Sequence, residues 1–420
     1  MKSLYVYFED RLIGKLTRDE ELMHSFQYDE SWLNSQNKFQ LSLVLPLQAE
    51  PFGNKLTLSF FENLIPEGEV RQVLGKDYGI KSSFEFLKEF GKDCAGAIIV
   101  SSYSTSPFNK LKQGKNEIEM SEVYKAIDNK RSVAEVISQV NSGYLSLAGA
   151  QDKFAAIYER GKLFLPTNGA PTTHIVKVPI WRMGVKESVY NELYCMKLAG
   201  AVGLNVPNCF LLEESNHPLF IVERYDREIG NDGYAHRLHQ QDFCQAQGII
   251  SDDKYEEKGG PKIRDNYELI RESVSIKNVL PSTFAFLDWV CFNLLIGNND
   301  SHSKNISLLL KGDKTELAPF YDLLCTAIYP SLKRQFSFMI GDRNDSSRIG
   351  RNQLELLEVE LGLKKGTMTD RMLKMKDKLL EHKDIVAREL KMQHPKMKIA
   401  KRISDLIGDR CKALARKGVK

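Results

Sequence analysis

The sequence has little cysteine and none of the arrangements that cysteine chemistry requires. Its 420 residues include 7 cysteines, an odd number, and they are scattered without a C-x-x-C pair. Neither a disulfide framework nor a zinc site is therefore indicated. We expect reduced, mostly buried thiols.

Long apolar runs are missing as well. No stretch reaches the roughly 18 uninterrupted apolar residues of a membrane helix, and the start MKSLYVYFEDRL lacks the apolar centre of a signal peptide. This predicts a cytoplasmic protein with no membrane partner. The composition, 42% hydrophobic and 27% charged, is that of a globular chain with two or three domains.

Charge is unevenly distributed. The net charge is +4, but the segment from Lys364 to Lys420 holds 18 Lys/Arg against 7 Asp/Glu. This surplus suggests a polyanionic partner near the C-terminal end, although solvated helix faces produce the same composition.

The first part of the chain is predicted to be an α+β module, residues 1–106. Alternating residues in LYVYFEDRLIGKL predict a β-hairpin, and strand-like runs follow at FQLSLVLPL and AGAIIV. Helical patterns lie between them at LSFFENLIPEGEVRQVL and SSFEFLKEF. The aperiodic segment SSYSTSPFNKLKQGKN resembles a linker.

The remainder divides into a strand-rich and a helix-rich part. Residues 107–239 contain strand patterns at KFAAIYE, GKLFLP, THIVKVP, NCFLLEE and PLFIVERYDRE, with one helix from Ser188 to Ala201. Residues 240–420 are mostly helical, with apolar periodicity in FAFLDWVCFNLLIG, RMLKMKDKLL and IAKRISDLIG. A sheet-rich lobe followed by a helical lobe is the order of kinase-like folds.

The strongest chemical signal is GNNDSHSKN. Asp300 and Asn305 have the D-x-x-x-x-N spacing of a phosphotransfer loop, in which the Asp accepts the proton of the attacking hydroxyl and the Asn binds Mg²⁺. By itself this spacing is more often a plain turn than an active site. Asp322, in LAPFYDLLC, supplies the carboxylate that a magnesium site needs, but the residues after it are not those of D-F-G.

Two further features are compatible with a polyphosphate ligand. The segment SLAGAQDK, Ser146 to Lys153, has the small residues of a phosphate-covering loop but matches neither Walker A nor G-x-G-x-x-G, and a simple turn into a strand remains open. Lys177 in the apolar run HIVKVP implies an anionic partner, with Glu192 as an orienting carboxylate, unless it points outward from a half-exposed strand.

Two rival chemistries are disfavoured. Ser301 to Lys304 matches the S-x-x-K of acyl enzymes, but no S-D-N or K-T-G follows it. His236 and His239 lack neighbours that would complete a metal site.

Taken together, these segments resemble the HipA family of bacterial toxin Ser/Thr kinases over nearly the whole chain. The motifs FFENLIPEG, GKDCAGAI, SLAGAQDK, THIVKVP, NELYCMKLAGAVGLNVP, ERYDR, DFCQAQG, GNNDSHSKN and FYDL occur in the family's order. The resemblance implies an α+β, two-lobed protein-kinase-like fold of the PI3/4-kinase-like variant.

The resemblance also implies roles for individual residues. Asp300 is implied to be the catalytic base, Asn305 and Asp322 the Mg²⁺ ligands, and Ser146 a site of autophosphorylation that displaces the loop and silences the enzyme. The residues implied around ATP are Ala148, Gly149, Ala150, Gln151, Asp152, Lys153, Lys177, Glu223, Tyr225, His302, Ser303, Lys304 and Tyr321.

Partners are implied in the same way. They are a HipB-like helix-turn-helix antitoxin, operator DNA bound through the antitoxin complex, and a protein substrate, with a translation component such as an aminoacyl-tRNA synthetase as the target class. An alternative is a catalytically weak kinase fold kept as an antitoxin- and DNA-binding corepressor.

Overall fold

The structure, a computed structural model, describes residues 1–109, 112–140, 151–312 and 314–419. The chain forms two compact units. Unit 1 comprises Met1–Val178, Leu212–Ser251 and Leu309–Lys314. Unit 2 comprises Pro179–Leu211, Asp252–Leu308 and Thr315–Lys420. The division predicted at residues 106 and 239 stays a prediction.

The secondary structure mixes helices and strands throughout. The α-helices are α1 Glu30–Leu33, α2 Asn54–Phe61, α3 Gly68–Asp77, α4 Ser83–Phe90, α5 Met120–Asp128, α6 Val133–Val140, α7 Ser188–Ala201, α8 Phe243–Ala246, α9 Ile263–Ser273, α10 Val279–Ile296, α11 Arg351–Glu360, α12 Thr367–Gln393 and α13 Ile399–Arg416. The strands are β1 Lys2–Phe8, β2 Arg11–Arg18, β3 His24–Tyr28, β4 Ile98–Ser101, β5 Gly114–Glu117, β6 Lys153–Glu159, β7 Lys162–Thr167, β8 His174–Lys177, β9 Cys209–Leu212, β10 Leu219–Glu223, β11 Arg227–Ile229, β12 Ala235–Arg237, β13 His239–Asp242, β14 Ser307–Lys311, β15 Lys314–Leu317, β16 Gln335–Ile340 and β17 Arg343–Asp345.

Unit 1 begins with an antiparallel sheet in the order β3-β2-β1-β4. The predicted hairpin is confirmed as β1 and β2, with Leu4 opposite Leu16 in the register. Helix α4 begins at the predicted place because the Ser82 hydroxyl accepts a hydrogen bond from the Glu85 N–H as an N-cap. The apolar residues of this sheet and its helices form one buried core that includes Phe26, Trp32 and Phe90.

The strand predicted at FQLSLVLPL is wrong. Residues 39–47 form turns, with one isolated bridge between Ser42 and Leu45. The Ser42 hydroxyl donates to the Gln241 Oε1 at 2.8 Å, and the Leu43 N–H donates to the same oxygen at 3.1 Å. Side-chain partners thus replace the ladder hydrogen bonds, while Leu41 and Leu45 remain buried.

The strand-rich middle of the chain forms a second antiparallel sheet in unit 1. Its strands follow the order β5-β7-β6-β8-β10. In this sheet Lys153 lies opposite Lys177, and Lys177 lies opposite Phe220 on the other side. The predicted strands and the helix at Ser188–Ala201 are confirmed.

Unit 2 is built around α10. Trp289 of this helix stacks on Phe286 and on Phe320, with ring centroids 6.0 and 5.9 Å apart, and contacts Phe338 edge-on. The helices predicted near the C-terminus are confirmed as α12 and α13. Burial of these aromatic rings stabilises unit 2.

Helix α10 also has the length and apolar composition that a membrane span requires. However, 67% of it is buried within the protein. A mostly buried apolar helix is what the core of a soluble domain contains, so its composition is weak evidence for a membrane.

The expectation for the cysteines is confirmed. All seven are buried thiols. Burial raises the pKa of the Cys325 thiol to about 12 and that of Cys411 to about 11. The thiols of Cys325 and Cys411 are therefore protonated at neutral pH.

Candidate active site

The loop that carries Asp300 starts at a fixed point. Helix α10 ends at Gly297, whose φ of 76° is the left-handed conformation that favours glycine. A Cβ at this position would lie 2.7 Å from the Ala327 Cβ. The Gly297 carbonyl accepts hydrogen bonds from the Ala327 N–H at 2.9 Å and from the Thr326 hydroxyl at 3.2 Å. Both the conformation and the close approach require glycine here.

Asn298 fixes the loop from within. Its Nδ2 donates to the Asn293 Oδ1 at 2.9 Å, while its Oδ1 accepts from the Asp300 N–H at 3.2 Å. The Ser301 hydroxyl donates to the Asn298 carbonyl at 3.1 Å. The backbone of Asp300 is therefore tied to the C-terminal turn of α10, and a rigid site of this kind positions a catalytic group well.

Asn299 anchors the other side of the loop. Its N–H donates to the Thr326 Oγ1 at 2.8 Å, its Nδ2 donates to the Lys333 carbonyl at 3.1 Å, and its own carbonyl accepts from the Ser337 hydroxyl at 2.8 Å. Three separate segments of unit 2 thus hold a single residue. These hydrogen bonds also restrict the backbone position of the adjacent residue, Asp300.

Asp300 presents its carboxylate to solvent, with 51% of the side chain exposed. The Tyr255 hydroxyl donates a hydrogen bond of 2.6 Å to the Asp300 Oδ1. The Tyr255 ring packs edge-on against His302, whose Nε2 lies 4.0 Å from the same oxygen. One carboxylate oxygen is thus oriented by tyrosine, and an exposed, oriented carboxylate can accept a proton.

The structure gives a physical reason for the D-x-x-x-x-N spacing. The Asn305 Nδ2 reaches back to the Asp300 carbonyl at 3.0 Å, and the Asn305 N–H donates to the His302 carbonyl at 2.9 Å. Between them, the short 3₁₀ turn Ser303–Asn305 is held by mutual hydrogen bonds between Ser303 and Asn266 at 2.9 and 3.1 Å. The carboxamide oxygen of Asn305 is left as the group that can bind a cation.

Asp322 has an unusual backbone, with a φ of 59°. Aspartate is one of the few non-glycine residues that adopt this left-handed conformation without a large cost. The hydroxyl of the preceding Tyr321 donates to the Lys304 carbonyl at 2.9 Å and lies 2.8 Å from the Ser307 Oγ. These contacts tie the segment carrying Asp322 to the segment carrying Asn305.

The donors assembled here fit a hard cation. Asn305 offers an amide oxygen and Asp322 a carboxylate, which are the ligand types that Mg²⁺ prefers. Within the described parts of the chain, no group of three or more His, Cys, Asp or Glu side chains could hold a metal ion by itself. One carboxylate and one amide suit a Mg²⁺ ion that takes its other ligands from phosphates and water.

In unit 1, the predicted nucleotide residues lie on the second sheet. Lys177 is only 6% exposed at the end of β8, and its Nζ lies 6.0 Å from the centre of the Phe220 ring. Lys153 occupies the opposite position on β6. Two lysines opposite each other concentrate positive charge, which suits a polyphosphate ligand.

The segment predicted to cover phosphates is only partly described. Ser146, Ala148, Gly149 and Ala150 lie outside the described residues. Asp152 caps α6, because its carboxylate accepts from the Val133 N–H at 2.7 Å and from the Ala134 N–H at 3.2 Å. Burial nevertheless raises the pKa of Asp152 above its ordinary value.

Gln151 is also held locally. Its Nε2 donates to the Val178 carbonyl at 3.0 Å. Together with the cap formed by Asp152, this contact fixes the C-terminal end of the predicted loop to α6 and to the end of β8. The two residues therefore position the loop, and direct contact with a nucleotide stays a prediction for both.

The remaining predicted residues occupy defined places. Glu223 is exposed at the end of β10, and the Tyr225 hydroxyl donates to the Gln240 Oε1. Glu192 is buried on α7 in unit 2. Its predicted pairing with Lys177 joins residues of different units and stays a prediction.

The ERYDR motif, singled out in the sequence for Glu223 and Tyr225, has a second role. Its Arg224, Asp226 and Arg227 join Asp93 and Arg237 in a buried charge cluster of three guanidinium groups and two carboxylates. The Asp93 carboxylate lies 3.1, 2.9 and 3.0 Å from the three arginines. Sequence reasoning missed this cluster.

The comparisons with known proteins place the chain in one family. Residues 4–101 match the family model of the HipA N-terminal domain, and residues 145–383 match that of the HipA-like C-terminal domain. One relative is Y4mE of Sinorhizobium fredii, a protein named as a kinase. The two chains are 36% identical over 351 residues, which is 82% of each.

Two further matches are to HipA of Shewanella oneidensis, one by sequence and one by structure. The serine/threonine-protein kinase toxin HipA of that organism is 30% identical over 389 residues, covering 89% of this chain and 86% of the relative. A solved complex of HipA, HipB and operator DNA from the same organism contains a chain of the same fold, with a TM-score of 0.82 and 25% identity over 98% of this chain and 97% of that one.

Proposed function

Because this chain belongs to the HipA family of serine/threonine-protein kinase toxins, we propose that it transfers the γ-phosphoryl group of ATP to a serine or threonine of a cellular protein. The observation that carries the proposal is the Asp300 loop, where Tyr255 donates a hydrogen bond to an exposed carboxylate and Asn305 donates one to the Asp300 backbone carbonyl. The two-lobed, kinase-like α+β fold predicted from the sequence is confirmed by the structural match.

In the proposed reaction, the Asp300 carboxylate accepts the proton of the acceptor hydroxyl. The hydroxyl oxygen forms a bond to the γ-phosphorus, the bond to the bridging oxygen breaks, and ADP leaves. Asn305 and Asp322 would hold Mg²⁺, which neutralises charge on the phosphates when bound. Lys177 would contact the phosphates, and the other predicted nucleotide residues would surround ATP.

We further propose that the kinase silences itself by autophosphorylation of Ser146. A phosphoserine brings a charge of about −1.5 to −2 at neutral pH, which would repel the phosphates that the neighbouring loop should bind. The hydrogen bonds of Gln151 and Asp152 support this switch, because they anchor the C-terminal end of the loop to the end of β8 and to α6.

The autophosphorylation proposal gives a direct prediction. Ser146→Ala should abolish self-labelling from radioactive ATP and leave the kinase active for longer, because no phosphate can accumulate on the loop. Mass spectrometry of the labelled protein measures the site. Ser142→Ala, in the same segment, is the matched control and should label like the parent chain. Full labelling of Ser146→Ala would contradict the switch.

We propose that the partners are a HipB-like antitoxin and, through it, operator DNA, and that the target is a translation component whose phosphorylation arrests growth. The support is the family membership and the solved HipA complex with HipB and DNA. Phosphoproteomics on cells that express the chain or its Asp300→Asn variant would identify the target, since its site should be phosphorylated only with the active chain.

The basic C-terminal region supports a limited contact with DNA. Several of its basic groups are engaged within unit 2: Arg371 with Asp288 at 2.6 Å, and Arg410 with the Leu294 carbonyl. Lys365, Lys374 and Arg402 are exposed and remain candidates.

Salt dependence tests that contact. Replacing Lys365, Lys374 and Arg402 by glutamine should reduce the slope of log affinity against log salt, for the antitoxin complex binding operator duplex, by up to about 3. Equilibrium titrations at several salt concentrations measure it. An unchanged slope would show that this region does not touch DNA.

A further inference from the structure

A cavity of about 360 Å³ lies beside Asp300 within unit 2. Asp300, Asn299 and Tyr255 line one part of it. Its volume falls at the lower end of the range of about 300–1,000 Å³ found for ligand sites. A molecule in this cavity would therefore meet the carboxylate that must receive the proton of the acceptor hydroxyl.

Apolar side chains also line the cavity. Phe336 and Phe338 of β16 line it, together with Leu332 and Met339. The two phenylalanines are buried in the core of unit 2, whereas Leu332 and Met339 remain partly exposed. Apolar walls with a few placed polar groups are what a site for an apolar side chain requires.

The polar edge of the cavity is preformed. Lys333 and Glu257, which both line it, form an ion pair. The Glu256 carboxylate accepts a hydrogen bond of 2.7 Å from the Met339 N–H. These contacts hold the segment that carries Tyr255 against β16, so the cavity does not need to be created by its ligand.

The surface next to the cavity points to a protein ligand. Arg182 lines the cavity, and its neighbours Trp181 and Met183 are 46% and 94% exposed. The Ser331 hydroxyl donates to the Met183 carbonyl at 3.4 Å, which ties this loop to the segment before β16. Trp, Met and Arg are enriched where proteins bind proteins.

We infer that this cavity is the acceptor-segment site, which binds an extended stretch of the protein substrate. The serine or threonine to be phosphorylated faces Asp300. An apolar side chain within two residues of it fills the space between Leu332 and Phe336. This rests on the proposed kinase function. Because Tyr255 bonds the Asp300 Oδ1, the acceptor hydroxyl meets the other carboxylate oxygen. Adjacent residues of an extended segment advance about 3.3 Å each, so a side chain within two residues stays close to the acceptor hydroxyl.

The test fills the cavity with a bulky side chain and leaves the proposed base, Asp300, unchanged. The full-length chain phosphorylates a dephosphorylated, heat-inactivated bacterial proteome with Mg·ATP, and mass spectrometry maps the sites. Leu332→Trp and Gln335→Trp each place a large ring in the cavity. Leu380→Trp is the control, since Leu380 is an exposed leucine of α12 that does not line the cavity. Calorimetry checks that all variants bind Mg·ATP equally.

We expect the parent chain to select sites with Leu, Met or Phe within two residues of the phosphorylated hydroxyl. Both cavity variants should label those sites at least tenfold less than Leu380→Trp does. Sites without an apolar neighbour, or cavity variants that label like the control, would overturn the inference and leave the kinase function standing. If even the parent chain labels nothing, the proposed kinase function itself is wrong and the inference falls with it.

Discussion

Replacing Asp300 by asparagine is expected to lower phosphotransfer by about 10²- to 10⁴-fold, the usual contribution of a general base. The affinity for Mg·ATP should stay nearly unchanged, because the base acts on the acceptor hydroxyl and not on the nucleotide. Single-turnover transfer from radioactive ATP measures the first quantity, and calorimetric titration with Mg·ATP measures the second.

Asp300→Asn should not disturb the surrounding loop, because the hydrogen bonds of that loop do not require the negative charge of Asp300. An asparagine oxygen can still accept the hydrogen bond that the Tyr255 hydroxyl donates at 2.6 Å. The contacts of Asn298 and Asn305 to this residue involve only its backbone N–H and carbonyl. Loss of transfer would therefore report the missing proton acceptor and not a collapsed loop.

Asp322→Asn provides the contrasting result. Asparagine tolerates the left-handed backbone of this position, so the variant should fold. It would lose the charged metal ligand, and its affinity for Mg·ATP should fall while Asp300→Asn retains it. Equal losses of nucleotide affinity in both variants would mean that the roles of the two aspartates are wrongly assigned.

The sequence predicted the parts of the site that depend on short-range spacing. Asp300 and Asn305 are close in the chain, and their spacing is what allows the Asn305 side chain to reach the Asp300 carbonyl. The helix that precedes them was predictable because α10 combines apolar residues with a terminal glycine. Local patterns of this kind carry most of their information within a few residues.

Long-range contacts were not predictable in this way. Tyr255 bonds Asp300 across 45 positions, from a polar segment whose composition gives no signal. Residues 39–47 look like a strand, yet Gln241 takes the hydrogen bonds that a ladder would use. In both cases a side chain from a distant segment supplies a hydrogen bond that the local sequence does not encode.

The ERYDR motif is a further case in which long-range contacts could not be predicted from the local sequence. A run of charged residues after an apolar strand normally suggests a solvated turn. Here Arg224 and Asp226 are buried, and Asp93, which pairs with Arg224, lies more than a hundred residues earlier in the chain. Asp93 belongs to the region that matches the HipA N-terminal domain, and Arg224 to the region that matches the C-terminal domain. The cluster therefore joins the two matched regions within unit 1.

Asp93→Asn should accordingly be the most destabilising single substitution among those considered, lowering the free energy of unfolding by about 3–5 kcal/mol. It removes the carboxylate that Arg224, Arg227 and Arg237 share, and it leaves three buried guanidinium groups with Asp226 alone. Denaturant-induced unfolding followed by circular dichroism measures the change. Asp405→Asn is the matched control, because its pair with Lys401 is exposed and such pairs contribute about 0–1 kcal/mol.

The pH dependence separates charge from packing in this cluster. Burial alone raises the pKa of Asp93, but the attraction of Arg227, Arg224 and Arg237 outweighs it and holds that pKa well below the ordinary range. The contribution of Asp93 to stability is thus fully present above the ordinary aspartate pKa of about 3.9 and is lost as the pH falls toward the folded-state value. The parent chain should therefore lose its stability advantage over Asp93→Asn progressively below about pH 4. A difference that stays constant over this range would show that the asparagine acts through packing, and that the charge of Asp93 is not what holds the matched regions together.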